Sequence, residues 1–510
     1  MTAGKKRAFI SVWDKAGLDD FGRFLSGRGY EIVSTGGTAR QLEAAGIEVI
    51  SVASITGQGA LMDGRLKTLD MRVFGPILFD RGKPGHVSDL RELGQPPIDM
   101  VVVNLYPFER MLADGKSRHE MIEYIDIGGP SLLRAAAKNH RHVLVVAHPD
   151  QYEGVSRLIR EHGDDIPLDE REALAGEAFA LTAKYDSLIA GHFRGFGDTM
   201  PATLHIDAQL QEMLRYGENP HQAAGFYLPA GASVPWKQLH GKALSFNNYA
   251  DIDAAWAIVS GFDEPAVSIV KHANPCGFGL GPDPHMAYLR ALSTDPESSF
   301  GGIVAFNRPL DAEAAKPLTD RFFECVIAPQ FEAGALELLR GKKNIRLLEA
   351  ASGPTGNAFE IRAVAGGYLA QEADSWQGEQ SWTVATERQP TRKETEALRL
   401  CWKLVRFVKS NAIVFGNHEQ LLGVGAGQMS RIDAVRLAGM KAAQAKLDLA
   451  GASMASDAFF PFPDGVETAA KLGVTSVIQP GGSIRDEEVI TLANEQGLAM
   501  VLTHNRHFRH

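Results

Sequence analysis

Cysteine is scarce. Cys276, Cys325 and Cys401 are the whole complement of 510 residues, and their spacing pairs none of them, which excludes a sequence-encoded disulfide framework or thiolate zinc site. Long apolar runs are missing too, none approaching the roughly 18 residues of a membrane span. The start, Lys5-Lys6-Arg7 leading into one brief apolar strand, reads as no signal peptide, so the cytoplasm is the expected location. Positive charge is in the minority, 52 Lys and Arg against 62 Asp and Glu for a net −10. That balance speaks against a nucleic-acid surface but leaves room for a local basic pocket that holds a small anion. What remains, 45% hydrophobic and 22% charged residues, is a soluble globular composition long enough for two or three domains.

Several familiar chemistries are also absent. Gly115-Lys116-Ser117 ends like a phosphate-binding P-loop, but Arg110 stands where the first glycine belongs. Gly423-Val-Gly-Ala-Gly427 stops short of the dinucleotide fingerprint because Gln428 follows. No His-Glu-x-x-His and no His-x-Glu occurs, and Pro275-Cys276 has no second cysteine three residues on, so zinc-deaminase chemistry is not supported. His504, His507 and His510 are evenly spaced without a carboxylate partner in sequence, and no metal is expected there. The chemistry is left to Lys, His, Asp, Asn and backbone donors.

Residues 7 to 147 alternate strands with helices. Strands are expected at 7–12, 30–34, 100–105 and 142–147, with Asp14 capping the first helix. Thr35-Gly36-Gly37-Thr38 joins a strand to a helix and offers bare backbone N–H groups at a helix N-terminus, a ready anion site. Lys15 and Arg65-Leu66-Lys67-Thr68 complete a phosphate cradle, with Tyr106, Asp126 and Lys138 as the titratable groups near it. Asp126 also reads as a cap and Lys138 as a helix-end lysine favoured by the dipole. The pattern is that of a compact, mostly parallel α/β domain with its loops gathered at the strand ends. Helices over 150–193 and a linker, Gly195 to Thr203, lead to the second part.

There, strands are expected at 266–270, 302–305, 423–425 and 476–479, and helices at 252–260, 392–409 and 432–449. The first of these strands is read as stopped by Pro275 and Gly277, leaving Lys271 and His272 where strand gives way to loop. A His there suits general-base work near neutral pH, and a Lys adds a positive charge beside it. Arg215, Tyr216, Asn411, Arg431 and Arg506 are the other polar groups in apolar context, and Arg431 suits a phosphate or carboxylate. Phe459, Phe460 and Phe462 read as core, or one of them as the wall of a flat heterocycle site. Lys271-His-Ala-Asn and Lys409-Ser-Asn-Ala hint at an internal duplication too short to count.

The motifs in order are Ser-Val-Trp-Asp-Lys15, Ser-Thr-Gly-Gly-Thr38, Asp-Gly-Arg-Leu-Lys-Thr68, Asn-Leu-Tyr-Pro-Phe108, Asp-Ile-Gly-Gly-Pro130, Arg-Ala-Ala-Ala-Lys-Asn-His140, Arg-Tyr-Gly-Glu-Asn-Pro-His-Gln222, Lys-His-Ala-Asn-Pro275, Ser-Ser-Phe-Gly-Gly302, Lys-Ser-Asn411, Gly-Ala-Gly-Gln-Met-Ser-Arg-Ile432, Ser-Asp-Ala-Phe-Phe-Pro-Phe462 and Asn-Arg-His-Phe-Arg-His510. Together they make the chain, from Ser11 to His510, resemble the bifunctional purine-biosynthesis family that joins phosphoribosylaminoimidazolecarboxamide (AICAR) formyltransferase to IMP cyclohydrolase. The resemblance implies a methylglyoxal-synthase-like cyclohydrolase domain over 1–147, a helical connection and linker over 148–205, and a transformylase region of cytidine-deaminase-like units without zinc over 206–510. It implies AICAR and 10-formyltetrahydrofolate as substrates, no catalytic metal, and a homodimer with transformylase sites at the interface. His272 matches the family's proton acceptor and Lys271 the group that stabilises the transition state. Arg215, Tyr216, Gly301, Glu324, Asn411, Arg431 and Arg506 match nucleotide contacts; Ile432, Phe459, Asp464, Ser483 and Ile484 match the folate side. In the cyclohydrolase half Lys138 matches the proton donor/acceptor. Trp13, Asp14, Lys15, Thr35, Gly36, Gly37, Thr38, Arg65, Leu66, Lys67, Thr68, Val103, Asn104, Asp126 and Ile127 match the nucleotide site there. After Leu69 the family usually continues His-Pro-Lys-Val-His-Gly-Gly; this chain has Asp70-Met-Arg-Val-Phe-Gly-Pro76, read as a changed loop with Arg65, Lys67 and Thr68 kept. The competing reading is a monofunctional transformylase whose first domain only binds a nucleotide.

Overall fold

The computed structural model describes residues 5–62, 65–163, 165–194, 200–229, 232–350 and 359–510. It has two compact units, Met1–His205 and Ile206–His510. The helices expected as a connection therefore belong to the first unit, and residues 195–199 of the expected linker lie outside the described ones.

In the first unit the strands are β1 (Arg7–Ser11), β2 (Glu31–Ser34), β3 (Val49–Ser51), β4 (Met100–Val103) and β5 (Leu144–Val146). They form one parallel sheet in the order β3-β2-β1-β4-β5. The helices used below are α1 (Leu18–Gly27), α2 (Gly36–Ala44), α3 (Met71–Leu78), α4 (Gly128–Lys138), α5 (Gln151–His162) and α6 (Leu168–Arg194). β4 reads Met-Val-Val-Val and is buried throughout, the signature of a parallel strand covered on both faces. The strand order reverses between β1 and β4, so the loops after those two strands part and leave a crevice at their carboxyl ends. α6 packs on α4 and β5. Asp14 does not cap α1, which starts after a left-handed Gly17; its Oδ1 accepts the Ala16 N–H at 2.9 Å instead.

The second unit opens with a two-stranded ribbon, β6 (Ala208–Leu214) and β7 (Ala224–Pro229). Next come β8 (Lys237–His240), α7 (Phe246–Ser260), β9 (Ala266–Lys271), β10 (Asn274–Leu280), α8 (Pro284–Thr294), β11 (Ile303–Phe306), β12 (Cys325–Ala328) and β13 (Arg346–Glu349). A second ribbon, β14 (Phe359–Val364) and β15 (Gly367–Glu372), separates these from β16 (Thr383–Val384), α9 (Arg392–Val405), β17 (Ile413–Gly416), β18 (Leu421–Gly425), α10 (Arg431–Gln444), β19 (Ser453–Ser456), β20 (Ser476–Gln479) and β21 (Ala499–Leu502). The two resulting six-stranded sheets, β10-β9-β11-β12-β13-β8 and β18-β17-β19-β20-β21-β16, share one pattern. Each begins with an antiparallel hairpin, adds one antiparallel and two parallel neighbours, and ends on an antiparallel edge. α7 and α9 share a single apolar core with residues of both sheets.

The duplication hinted at in the sequence is therefore present in topology, but not through the residues that suggested it. Lys271 ends β9, whereas Lys409 precedes β17. The expectation for Pro275 and Gly277 also needs correction: both lie inside β10, which returns antiparallel to β9 with Asn274 opposite Lys271.

Candidate active sites

A cavity of about 660 Å³ occupies the crevice between the β1 and β4 loops. It is lined by Trp13 and Lys15 from the first loop, Thr35, Gly37 and Thr38 from the β2–α2 turn, and Arg65, Lys67 and Thr68 from the segment before α3. Val103 ends β4 and Asn104 and Tyr106 follow it, and Asp126 and Ile127 lead into α4. Side chains hold these loops in place. Asn104 Oδ1 accepts the Trp13 and Asp14 N–H groups at 2.6 and 3.0 Å, and its Nδ2 donates to the Asp14 carbonyl at 2.8 Å. Thr38 Oγ1 accepts from Val12 N at 3.1 Å and donates to Val12 O at 3.0 Å. Gly36 is left-handed, with φ 57°, and a Cβ there would lie 2.6 Å from Lys67 Nζ, so the lysine reaches the turn only because no side chain stands in its way. A Cβ on Gly37 would meet Lys15 Nζ at 3.3 Å. Two ammonium groups thus stand over backbone donors at a helix N-terminus, as an anion requires.

Burial sets the electrostatics. It pushes the Asp126 carboxyl above its ordinary value, with the Gly129 and Gly128 N–H groups opposing; Asp126 Oδ1 accepts from Gly129 N at 2.9 Å. It lowers the Lys67 ammonium, helped by the charge of Arg40. It raises the Tyr106 phenol, helped by Asp126, and the ring meets Trp13 edge-on at 5.4 Å. One acid, one base and one cation therefore share the cavity with shifted pKa values, the pattern of an acid/base site.

Lys138 is not among these groups. It is the exposed last residue of α4, ten residues along the helix from Gly128, or about 15 Å at the α-helical rise. The cavity lysines are Lys15 and Lys67. Asp14, Gly36 and Leu66 support the wall from outside the lining. The segment 70–76 is not a loop but largely α3, capped by Asp70 Oδ1 on Arg72 N at 2.7 Å, and it leaves Arg65, Lys67 and Thr68 at the cavity. Sequence reading missed two contributors. Glu123 lines the cavity and accepts from Arg65 Nη2 at 2.5 Å. Tyr185, on α6, accepts the Asp126 N–H at 2.7 Å and donates to the Tyr124 carbonyl at 2.8 Å, fixing the Asp126 loop from a helix outside the sheet.

In the second unit, His272 and Ala273 are the two central residues of the β9–β10 hairpin, with φ of 52° and 57°. Both positive values define a type I′ turn, which normally selects Asn and Gly. Lys271 Nζ donates to the Phe300 and Gly301 carbonyls, each at 3.1 Å. Gly301 has φ 68°, and a Cβ there would approach Lys271 Nζ to 3.1 Å. Glu324 follows at the same sheet end, its N–H on the Gly302 carbonyl at 3.0 Å and its carboxylate on Arg346 at 2.5 Å.

Asn274 Oδ1 accepts the Lys409 N–H at 2.9 Å, linking this hairpin to the segment that carries Asn411. Asn411 Nδ2 donates to Gln428 O at 2.9 Å, and its Oδ1 accepts from Arg431 Nη2 at 2.8 Å. Arg431 itself is buried and paired with Asp457, and it also donates to Ser456 Oγ at 2.8 Å. These bonds fix the guanidinium in place and orient Asn411. The C-terminal tail joins through Ser410 N to Arg509 O at 2.9 Å and His507 N to Asp457 O at 3.0 Å. His507 has the carboxylate its sequence neighbourhood lacked: Asp374 Oδ2 lies 2.8 Å from Nδ1. Arg506 is exposed, and Arg215 stacks on Tyr216 at 4.6 Å.

The residues matched to folate flank the ends of β19 and β20. Phe460 is core, but Phe459 is 39% and Ile484 104% exposed. Asp464 is exposed, Ser483 Oγ accepts from Arg485 N at 3.2 Å, and Ile432 is half-buried in the first turn of α10. Among the described residues no three His, Cys, Asp or Glu side chains converge as metal ligands, and no helix is long and apolar enough to cross a membrane.

Comparison with known proteins fits both units. A solved structure titled "Crystal structure of ForH" is 34% identical, the match covering 37% of this chain and 97% of that one with a TM-score of 0.34. The family model for the MGS-like domain matches residues 17–131, which carry three of the five parallel strands and, of the cavity, Tyr106 and Asp126 among others. The model for the AICARFT/IMPCHase bienzyme matches residues 136–441, more than half the sequence and including the Lys271–His272 hairpin. The chain belongs to the AICARFT/IMPCHase bienzyme family, bifunctional enzymes of purine biosynthesis, with an MGS-like domain at its amino-terminal end.

Proposed function

We propose that the second unit transfers the formyl group of 10-formyltetrahydrofolate to the amine of AICAR, and that the first unit closes the formylated product to IMP with loss of water. The observation that carries the reading is the separation of two equipped sites: Tyr106, Asp126 and Lys67 around one cavity, Lys271 and His272 on a hairpin of the other unit.

For formyl transfer, the amine nitrogen attacks the formyl carbon and must lose a proton as the bond forms. His272, exposed on its turn, accepts it. An ammonium has three N–H donors, and Lys271 gives two of them to carbonyls. The third is free to meet the oxygen that becomes negative at the formyl carbon, where a fixed donor acts most strongly. The folate supplies the formyl group: its C–N10 bond breaks as the tetrahedral intermediate collapses, and N10 leaves as the free amine with the proton that His272 took up. Phe459 and Ile484 give its flat ring an apolar seat, and Asp464 offers an acceptor for ring N–H groups. Arg215, Tyr216 and Arg506 contact the nucleotide, with Gly301, Glu324, Asn411 and Arg431 shaping that end. Ile484 and Met429, 104% and 102% exposed, suit cover by a second copy in a homodimer.

For ring closure, the carboxamide nitrogen attacks the formyl carbon, and the resulting hydroxyl leaves as water. The Thr35–Thr38 turn with Lys15 and Arg65 holds the phosphate. Asp126, made more basic by burial, takes the amide proton; Lys67 and the neutral Tyr106 phenol protonate the formyl oxygen, and loss of the formamido N–H proton as the C=N bond forms supplies the second proton of the departing water. This gives Lys67 the role that family resemblance assigned to Lys138.

The test is His272→Ala. Formyl transfer is expected to fall about 10²–10⁴-fold, the usual worth of a general base, while ring closure of supplied formylated nucleotide stays within two-fold. Formyl transfer surviving within a few-fold would make His272 structural.

A further inference from the structure

The His272–Ala273 turn is built from the wrong residues for its shape. Left-handed backbone at both central positions crowds the Cβ of any residue but glycine, and Asn or Asp relieve the cost by bonding locally. His and Ala do neither. Such a conformation persists only where the surroundings over-determine it.

The surrounding group is a carboxylate from α7. Asp251 Oδ1 accepts the Ala273 N–H at 2.6 Å, and the carboxylate also receives the His272 N–H. From the other side, Asn274 Nδ2 donates to the His272 carbonyl at 3.0 Å while its Oδ1 holds Lys409 N. Asp251 is half-buried, and burial pushes its carboxyl up against the pull of these N–H groups and of His272 and Lys271. No nearer carboxylate bonds the turn among the described residues.

We propose that Asp251 is the positioning residue of the formyl-transfer site, gripping the backbone of the base itself so that the His272 ring is held in one orientation over the nucleotide amine. The proposal rests on His272 being the base. It assigns Asp251 no contact with either substrate. Its effect is on kcat, because a ring swung by about 1 Å loses transition-state geometry at a cost near 10²-fold while the nucleotide still binds.

The experiment measures formyl transfer in Asp251→Ala, Asp251→Asn and His272→Ala. Asp251→Ala is expected to lower kcat about 100-fold with KM for AICAR within three-fold. Asp251→Asn keeps an oxygen that accepts both N–H groups and is expected to stay within about five-fold. Ala273→Gly added to Asp251→Ala should regain at least five-fold, since glycine adopts the turn unaided. If Asp251→Ala does not fold, Asp251→Ser, too short to reach Ala273, replaces it with the same expected loss. A full-rate Asp251→Ala beside an inactive His272→Ala overturns the proposal and leaves the reading of His272 intact. Equal losses in the Asn and Ala variants also overturn it, because charge rather than grip would then be what counts. An active His272→Ala removes the base, and the proposal with it.

Discussion

The first unit gathers its reacting groups around a cavity of about 660 Å³, whereas the second carries His272 on an exposed two-residue turn. In the first, loops from several strand ends wall in one cavity, and burial shifts Asp126, Tyr106 and Lys67 together. In the second, orientation comes from chains of internal hydrogen bonds: Asp251 to the turn, Asn274 to Lys409, Arg431 to Asn411 and Asp457. On the function proposed above, the difference follows the chemistry. Ring closure rearranges one molecule and gains from enclosure, which excludes water. A transfer must admit two substrates and release two products, so its catalytic groups are pre-organised while the surface stays open.

The largest way to break this contrast is to cut the second unit's internal network. Asp457 is wholly buried and paired with a nearly buried Arg431. Asp457→Ala leaves that charge alone and is expected to cost about 3–5 kcal/mol. Urea melts followed by near-ultraviolet dichroism measure the loss, with ring closure persisting at denaturant concentrations that have already ended formyl transfer. A loss under 1 kcal/mol would mean that the network is incidental.

Next in size is the cavity lysine. Lys67→Ala is expected to slow ring closure about 10²-fold, and Lys138→Ala, remote on the far end of α4, to slow it less. The reverse order in single-turnover assays would relocate the proton donor to the helix end.

Tyr185→Phe sharpens the same point more gently. Losing the bridge between Asp126 N and Tyr124 O should lower ring closure about ten-fold through misplacement and leave formyl transfer unchanged. No change would show that the Asp126 loop holds its shape without α6.

Much of this was legible in the sequence, and the rest was not for identifiable reasons. The βα alternation, the Thr35–Thr38 turn into a helix and the opening of α4 at Gly128 are local, set by apolar runs and glycine positions. Pro275 and Gly277 misled because their role depends on a partner strand: only pairing with β9 makes that stretch a strand. The counter-charge of Arg431 was not legible because Asp457 lies 26 residues on, at the end of another strand. Tyr185 and Asp251 are 59 and 22 residues from what they hold, beyond any periodic signal. Lys138 followed family resemblance, and the geometry puts it outside the cavity.

A smaller effect concerns pH. The Asp126 carboxyl lies above 3.8 in the folded unit, so its basic form is lost at a higher pH than usual as acid is added. The Lys67 ammonium lies below 10.5, so its charge is lost earlier as pH rises. Ring closure should therefore follow a bell narrower than ordinary Asp and Lys values allow. Asp126→Asn should flatten the acid limb of the residual activity and Lys67→Ala the alkaline one.

The most direct test of two separate sites in one chain assays both half-reactions on the same preparations of His272→Ala and Asp126→Asn. His272→Ala should close supplied formylated nucleotide at the normal rate and make none, and Asp126→Asn should make it and let it accumulate. Loss of both activities in either variant, with the fold intact, would contradict separate sites and require one shared centre.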